Sequence, residues 1–430
     1  MNTEDLASFS QQHLVRNVAM IATDGALFGA GVALIGVHTL VPAVLVRLGA
    51  SNAVIGMLPA LLTLGTTIGP LFTAYLVTGK RTTKRYSLTA GLGQRLPWLV
   101  AGVVLFFAGR TLPDLTVTVI LAAVVVFGLS NGFVGPVWFD IVARAIPSSM
   151  RGRMFAVRDA VGQGLTLASG AFVAWVLEIL PFPTGHASLL LIGFGVFAVS
   201  WICFFSMVEV PQESPVERTP FPVFLRRFAE ILRGNPRFRR FVIARGLFTV
   251  AESSAPFVTV FVLDRFGLAD RYVGFFAITT AASVIVFTQL YGQLGDRRGH
   301  RTNFVIASSA LVVAGALALG MEGLWMGFAI FVAYGAARSA RTVSAFNLTA
   351  EFAGANEVSL YIAIAAVITA PLSLASILLG VLADAYGYEW VFVVAALLAV
   401  GALSLFVSIG RRRRGGHKKG PAFRRARDGA

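Results

Sequence analysis

The chain has 430 residues, of which 56% are hydrophobic and only 13% are charged. Soluble domains carry roughly 25% charged residues, and a soluble chain this apolar would expose patches that aggregate. The net charge of +15 is compatible with nucleic-acid binding, but the basic residues lie between hydrophobic runs and not in a basic soluble domain. We therefore expect a membrane protein with no nucleic-acid partner.

Twelve hydrophobic runs are long enough to cross a bilayer, because about 20 helical residues span its hydrocarbon core. Helices are favoured over strands since they satisfy their own backbone hydrogen bonds. The polar start of the chain does not look like a cleaved signal peptide. The predicted spans 1 to 6 cover 17–46, 53–79, 87–109, 114–143, 157–180 and 186–208, and spans 7 to 12 cover 241–264, 271–293, 303–320, 324–348, 358–383 and 388–409.

The spans divide six and six around a polar stretch. We predict an N-terminal half over 1–208, a cytoplasmic linker over 209–240, a C-terminal half over 241–410 and a basic tail over 411–430. In the linker, apolar residues at helical spacing among arginines predict a short helix in the membrane interface. These apolar residues are Phe221, Phe224, Leu225, Phe228 and Leu232.

The distribution of cations predicts the orientation of the spans. Odd-numbered loops contain few of them, whereas the even-numbered loops, the linker and the tail contain most. By the positive-inside rule both termini are cytoplasmic. We expect a multi-pass protein of a bacterial cytoplasmic membrane, in which the tail contacts anionic lipid headgroups. The few cations of the odd-numbered loops are Arg47, Arg110, Arg265 and Arg271.

Two segments indicate an internal repeat. Residues 44–56, VLVRLGASNAVIG, align with 262–274, VLDRFGLADRYVG, at an offset of about half the chain. Both lie at the turn between the first and second spans of their half. We therefore predict two pseudo-symmetric six-helix bundles, an arrangement used by alternating-access transporters with the solute site between the halves.

Two loops carry recognisable motifs. Residues 292–301, GQLGDRRGHR, resemble the signature loop of the major facilitator superfamily, through Gly292, Leu294, Asp296, Arg297, Gly299 and Arg301. The loop between spans 4 and 5 is similar to a second superfamily pattern, through Pro147, Arg151, Gly152 and Arg153. In the first-half copy of the signature loop, Thr78 replaces the acid. The resemblance implies a transporter fold in which these loops act as a cytoplasmic latch between the halves; the alternative is that their cations only set the topology.

Ionisable residues at membrane depth are functional candidates because they are costly to insert. In span 1, Asp24 and His38 belong to a series at spacing 4-3-4-3-4 that predicts one helical face. The resemblance implies that spans 1, 4, 7 and 10 line the central cavity, which makes this face a candidate solute or proton path. Structural roles remain open for His38, and for Asn131, Trp138 and Asp140 in span 4.

The second half has charges at similar depth. Glu252 in span 7 and Arg338 in span 10 are predicted to pair across a cavity, either as part of the solute path or as a static structural pair. Arg245 and Arg341 lie nearer the cytoplasmic end of the same spans. Arg95 in span 3 is expected to snorkel or to support the fold.

The resulting hypothesis is a monomeric secondary transporter of a small solute by alternating access, with proton coupling through Asp24 or Glu252. One alternative is a lipid, amphiphile or drug exporter on the same scaffold, and another is a membrane sensor or enzyme. No motif for ATP hydrolysis, metal-dependent proteolysis or a nucleophile elbow occurs. We therefore expect no enzyme activity, no cofactor and no bound metal.

Overall fold

The computed structural model describes residues 11–77, 80–211, 228, 230–353 and 358–409. Within these residues the chain is helical, and the N-terminal part contains eight helices. They are α1 (Leu14–Ile35), α2 (Leu40–Arg47), α3 (Asn52–Leu76), α4 (Lys84–Gly93), α5 (Leu96–Ala108), α6 (Pro113–Ala145), α7 (Ser148–Ile179) and α8 (Thr184–Ser206).

Eight more helices follow the linker. They are α9 (Pro236–Glu252), α10 (Ala255–Phe266), α11 (Tyr272–Arg298), α12 (His300–Leu319), α13 (Leu324–Phe352), α14 (Val358–Leu372), α15 (Ala375–Tyr386) and α16 (Tyr388–Ser408). Thr78, most of the predicted interfacial helix and the basic tail lie outside the described residues. Of the apolar residues named for this helix, Phe228 and Leu232 pack against the core.

Among the residues that the structure describes, eleven helical segments are long and apolar enough to cross a membrane. Helix α13 is not among them because Arg338 and Arg341 near its middle lower its hydropathy, but its 29 residues are ample for a crossing. With α13 as span 10, the twelve predicted spans are recovered under their original numbers. The chain is an integral membrane protein with multiple spans. The start of span 1, the end of span 12 and the linker lie on one side, called here the linker side; the opposite side is called the far side.

Four spans are interrupted near their middle and consist of two helices each. Span 1 is α1 with α2, span 3 is α4 with α5, span 7 is α9 with α10, and span 11 is α14 with α15. In span 1 the break follows Gly36, which has a φ of 54°. Breaks expose backbone N–H and C=O groups inside a membrane protein, and such groups are tolerated only where protein or a water-filled cavity surrounds them.

The internal repeat is visible in the backbone. Gly49 and Gly267, which the repeat aligns, both have positive φ, at 79° and 58°. The residues after them donate equivalent hydrogen bonds, from Ala50 N to Leu45 O and from Leu268 N to Leu263 O, both 2.9 Å. These bonds end the helices α2 and α10 in the Schellman manner, and glycine is preferred at such a position because it lacks a Cβ.

Spans 2 and 4 pack at backbone distance through two pairs of glycines. A Cβ on Gly69 would lie 2.6 Å from backbone atoms of Gly132, and a Cβ on Gly65 would lie 2.6 Å from the backbone of Gly128. Within each span the two glycines are four residues apart, which is the spacing of the small-xxx-small motif that lets membrane helices approach closely. Spans 2 and 4 are therefore closely packed against each other within the N-terminal half.

Candidate solute-binding site

The structure contains a polar cavity of 280 Å³ between the first and second halves. His38, Thr63 and Thr66 line it from spans 1 and 2. From the other half, Glu252, Arg338 and further polar residues of spans 7, 8, 10 and 11 face it. These further residues are Thr249, Ser253, Thr280, Tyr334, Arg341 and Ser373. We call this the central cavity.

The predicted pairing of Glu252 with Arg338 is wrong in this conformation. Glu252 instead accepts from Arg341, whose Nε lies 2.9 Å from its Oε2. Arg341 is three residues beyond Arg338 on the same helix, so both arginines project to one side of span 10. Arg338 forms no ion pair or side-chain hydrogen bond with any residue described, and its side chain is exposed to the cavity.

The predicted single face of span 1 is also wrong, because the helix breaks between Ile35 and Leu40. His38 lies in this break and reaches the central cavity, where it faces Arg338 and Arg341. Its Nδ1 is buried without a hydrogen-bond partner among the described residues. The portion of the face before the break packs on span 6, where Phe28 stacks on Phe197 at 5.0 Å.

Asp24 belongs to a second cavity, of 210 Å³, inside the N-terminal half. Its carboxylate is buried and accepts from Ser200 Oγ at 2.6 Å and from Trp138 Nε1 at 3.0 Å. Arg158 lies with its guanidinium 4.9 Å from the ring centre of Trp138. We call this the N-half cavity. Asn131 also lines it, and accepts from Gln94 Nε2 at 2.7 Å.

Arg95 supports this second cavity and does not snorkel. Its side chain is buried and donates to the carbonyls of Phe197 and Gly91 at 2.9 and 2.8 Å, and to Gln94 Oε1 at 2.8 Å. A buried charge is expensive unless it is fully hydrogen-bonded. Gly91 lies in the last turn of α4, so Arg95 satisfies a carbonyl at the break of span 3 and links it to span 6 through Phe197.

On the far side, ion pairs join the two halves. Arg47 contacts Asp270 at 2.7 Å, and His186 Nε2 lies 3.5 Å from the same carboxylate. Arg271 contacts Glu178 at 2.7 Å. Each of these contacts links a residue before the linker with one after it.

Spans 2 and 11 close the far side by backbone contact. Asp384 accepts from the backbone N–H groups of Asn52 and Ala53, at 2.8 and 2.9 Å, so it caps the start of span 2 from the other half. Asn52 also accepts from the Tyr388 hydroxyl at 2.6 Å. A Cβ on Gly380 would lie 2.7 Å from Ala53 Cα. The structure is therefore closed on the far side.

Comparison with known proteins assigns the architecture. The family profile of the Major Facilitator Superfamily matches residues 241–428. The chain also resembles a mutant form of the nucleoside transporter NupG at a TM-score of 0.72 and 14% identity, over 92% of this chain and 99% of that one. The chain has the major facilitator fold, and the match to the family profile is confined to its second half. No curated protein matches it at the level of sequence.

Two further solved structures show the same major facilitator fold. A D-xylose–proton symporter matches at a TM-score of 0.69 and 14% identity, over 91% of this chain and 97% of its own. A bacterial homologue of the iron transporter ferroportin, in an inward-facing state, matches at 0.68 and 13% identity, over 92% and 99%. At such identities the likeness concerns the fold and not the solute.

The loop at 292–301, which resembles the major facilitator signature, connects spans 8 and 9 tightly. Gly299 has a φ of 85°, which turns the chain between the two helices. Arg301 donates to the carbonyl of Val407 at 2.9 Å, within the same half. Asp296 and Arg297 are exposed and make no hydrogen bond or ion pair with the residues that the structure describes. A Cβ on Gly292 would meet nothing within 4 Å, so this glycine makes no close helix contact here.

The second motif stabilises the loop between spans 4 and 5. Arg151 donates to the carbonyls of Ile146, at 2.7 Å, and Ala143. Arg153 is exposed. The function of both loops as a latch stays a prediction, since the hydrogen bonds given above for their side chains are all to residues of the same half.

Sequence reasoning missed a third cluster, around Glu209. This residue accepts from the backbone N–H groups of Thr83 and Lys84 at 2.6 and 3.1 Å, and from Arg144 at 3.1 Å. It therefore caps span 3 at the linker side, close to the first-half loop that lacks the signature acid. Its position at the start of the polar linker was the only available signal.

Proposed function

We propose that this protein is a secondary transporter that moves a small solute by alternating access, with the solute held in the central cavity. The observation that supports the proposal is a polar cavity lined by both halves and closed on the far side by contacts between them. A site shared by two bodies can be exposed to either side when they rock.

The conformation fits one end state of such a cycle. Each inter-half hydrogen bond and ion pair described above lies on the far side. If the termini are cytoplasmic, as the cation distribution predicts, the cavity is closed to the outside. In the opposite state the ion pairs of Asp270 and Arg271 would part, and Asp296 would come within reach of the first half, as the latch hypothesis requires.

Proton coupling through Asp24 or Glu252 is part of the proposal. Glu252 lines the solute cavity and is paired with an arginine, so a solute that competes for the arginine would free the carboxylate to accept a proton. Asp24 is buried in the N-half cavity with two donors, and protonation would weaken both bonds. The two sites can be separated by Glu252→Gln and Asp24→Asn.

The test is transport by purified protein in liposomes. Vesicles with and without protein are incubated in a defined mixture of neutral, anionic and cationic metabolites, with and without a pH gradient, and their contents are measured by mass spectrometry. We expect the wild type to accumulate at least one solute, with a rate that changes with the gradient. Accumulation equal to that of protein-free vesicles for every solute would contradict the proposal. Flux that depends on the pH gradient in both variants as it does in the wild type would rule out these two coupling residues.

A further inference from the structure

The central cavity contains an excess of positive charge. Among its lining residues within the described part of the chain, Glu252 is the acid, whereas Arg338 and Arg341 are both cations. Arg341 is neutralised by Glu252 at 2.9 Å. Arg338 forms no ion pair with a described residue, and it shares the electrostatic influence of Glu252 with Arg341. One positive charge of the cavity is therefore left uncompensated, which is costly at this depth unless a ligand balances it.

Three helix ends add to this positive potential. The far-side helices of the interrupted spans 1, 7 and 11 begin at Leu40, Ala255 and Ala375. Residues at these starts line the cavity, namely Thr39, Ala255 and Ser373. No side chain caps any of the three helices. The N–H groups of Val41, Phe257 and Ser376 in these first turns donate to carbonyls of the preceding turns. The N-terminus of a helix nevertheless carries partial positive charge, so three such ends around one cavity favour an anion.

The hydroxyl groups that line the cavity indicate which groups the ligand carries besides its acidic one. Thr66, Thr249 and Thr280 donate to carbonyls of their own helices at 2.9 to 3.0 Å. Ser253 and Ser373 do the same at 2.7 and 2.6 Å. Once their protons are used in this way, these oxygens face the cavity as hydrogen-bond acceptors. A complementary solute carries O–H or N–H donors.

We propose that the central cavity binds a small, hydroxylated organic anion, whose carboxylate or phosphate is held by Arg338 and whose hydroxyl groups bond to the threonines and serines. A guanidinium presents donors in a fork that matches both acidic groups. The cavity volume of 280 Å³ lies just below the usual range for drug-sized ligands, which indicates a compact solute. This inference rests on the proposed function, because it takes the central cavity as the solute site.

The test compares ligands with one carbon skeleton and different charge. Isothermal titration of the purified full chain with gluconate, glucose 6-phosphate, glucose and glucosamine isolates the contribution of the acidic group. We expect at least one of the two acids to bind at least tenfold more tightly than glucose, and glucosamine to bind no better than glucose. The preference between gluconate and glucose 6-phosphate distinguishes carboxylate from phosphate.

Variants of Arg338 test whether this residue causes the preference for acids. Arg338→Gln should reduce acid binding at least tenfold, and Arg338→Lys should retain part of it because the positive charge remains. The matched control is Arg110→Gln, which removes an exposed far-side arginine that donates to the carbonyl of Phe182; it should bind as the wild type does. A circular dichroism spectrum equal to that of the wild type shows that each variant is folded.

Several outcomes would overturn the anion assignment. They are equal binding of glucose or glucosamine and the acids, retention of acid binding within threefold in Arg338→Gln, and absence of acid binding up to about 10 mM. None of these outcomes tests transport itself. If liposomes accumulate only a neutral solute, the anion inference falls and the proposed function stands. If the acids bind to the protein but no solute is transported, the proposed function falls and the assignment of the cavity to an anion stands.

Discussion

Closure of the far side depends on Gly380, and its replacement by alanine should open that side. In the closed state a Cβ at this position would overlap the carbonyl oxygen of Asn52 and lie 2.7 Å from Ala53 Cα, whereas real Cβ contacts are essentially never under 3.0 Å. Both obstacles are backbone atoms, so no side-chain rotation relieves the overlap. Spans 2 and 11 must separate.

The magnitude follows from the cost of overpacking. Inserting one methyl group into a well-packed contact costs about 1–3 kcal/mol. If this cost applies only to the closed state, the equilibrium shifts towards the open far side by roughly 5- to 150-fold. Gly164→Ala is the matched control, because a Cβ there meets nothing within 4 Å.

The assay is a distance measurement by pulsed electron paramagnetic resonance. Spin labels are attached to Ser51→Cys and Glu389→Cys, two exposed far-side residues on opposite halves, after the chain's one cysteine, Cys203, is replaced by serine. We expect a short distance in the wild type and in Gly164→Ala, and a longer second population in Gly380→Ala. Identical distributions in all three proteins would refute the reasoning, because they would show that spans 2 and 11 are not closely packed.

Four other predictions concern single residues. Asp384→Asn removes the negative charge that caps span 2, so the same labels should report a two- to fivefold gain of the open population, from about 0.3–1 kcal/mol; no gain would contradict the cap. Gly132→Ala should lower thermal stability by about 1–3 kcal/mol, because its Cβ would lie 2.8 Å from Gly65 O, and a melting temperature equal to that of Gly164→Ala would contradict this. Glu252→Gln should abolish the dependence of flux on a pH gradient, and an unchanged dependence excludes Glu252 as the coupling group. Asp296→Asn should alter flux and the balance of open and closed states if the latch operates; no change in either would leave the loop with a role in topology alone.

The spans could be predicted from the sequence because each needs only a sufficiently long apolar run. Even span 10, which Arg338 and Arg341 make less apolar, was placed correctly from its length and flanking loops. The repeat at 44–56 and 262–274 was predictable for a similar reason, since the turn that ends each helix locally requires a residue with positive φ. Gly49 and Gly267 both have positive φ.

Side-chain partners could not be predicted in the same way. The helical series in span 1 assumed an unbroken helix, and the turn after Gly36 directs Asp24 and His38 to different cavities. Glu252 could reach either of two arginines three residues apart, and periodicity does not decide between them. Arg95 was expected to snorkel or to support the fold, and the sequence could not decide between the two because the break in span 3 has no signal in hydropathy.

The contacts that close the far side were also beyond prediction. Arg47 and Asp270 are separated by more than half the chain, and although they lie in the two copies of the repeat, their alignment does not pair them with each other. Asp384 caps a helix in the other half, which sequence reasoning treats as a local event. Such contacts depend on how two independently recognisable halves dock.

The central claim is that the solute crosses by alternate opening of the two sides, and cross-linking the far side tests it most directly. A thiol-specific cross-linker joins Ser51→Cys to Glu389→Cys in liposomes, and flux of a solute that the wild type accumulates is measured before and after the linker is cleaved. The account predicts that the cross-link stops flux and that cleavage restores it, while either single-cysteine protein is unaffected by the reagent. Flux at an unchanged rate through the cross-linked protein would contradict it.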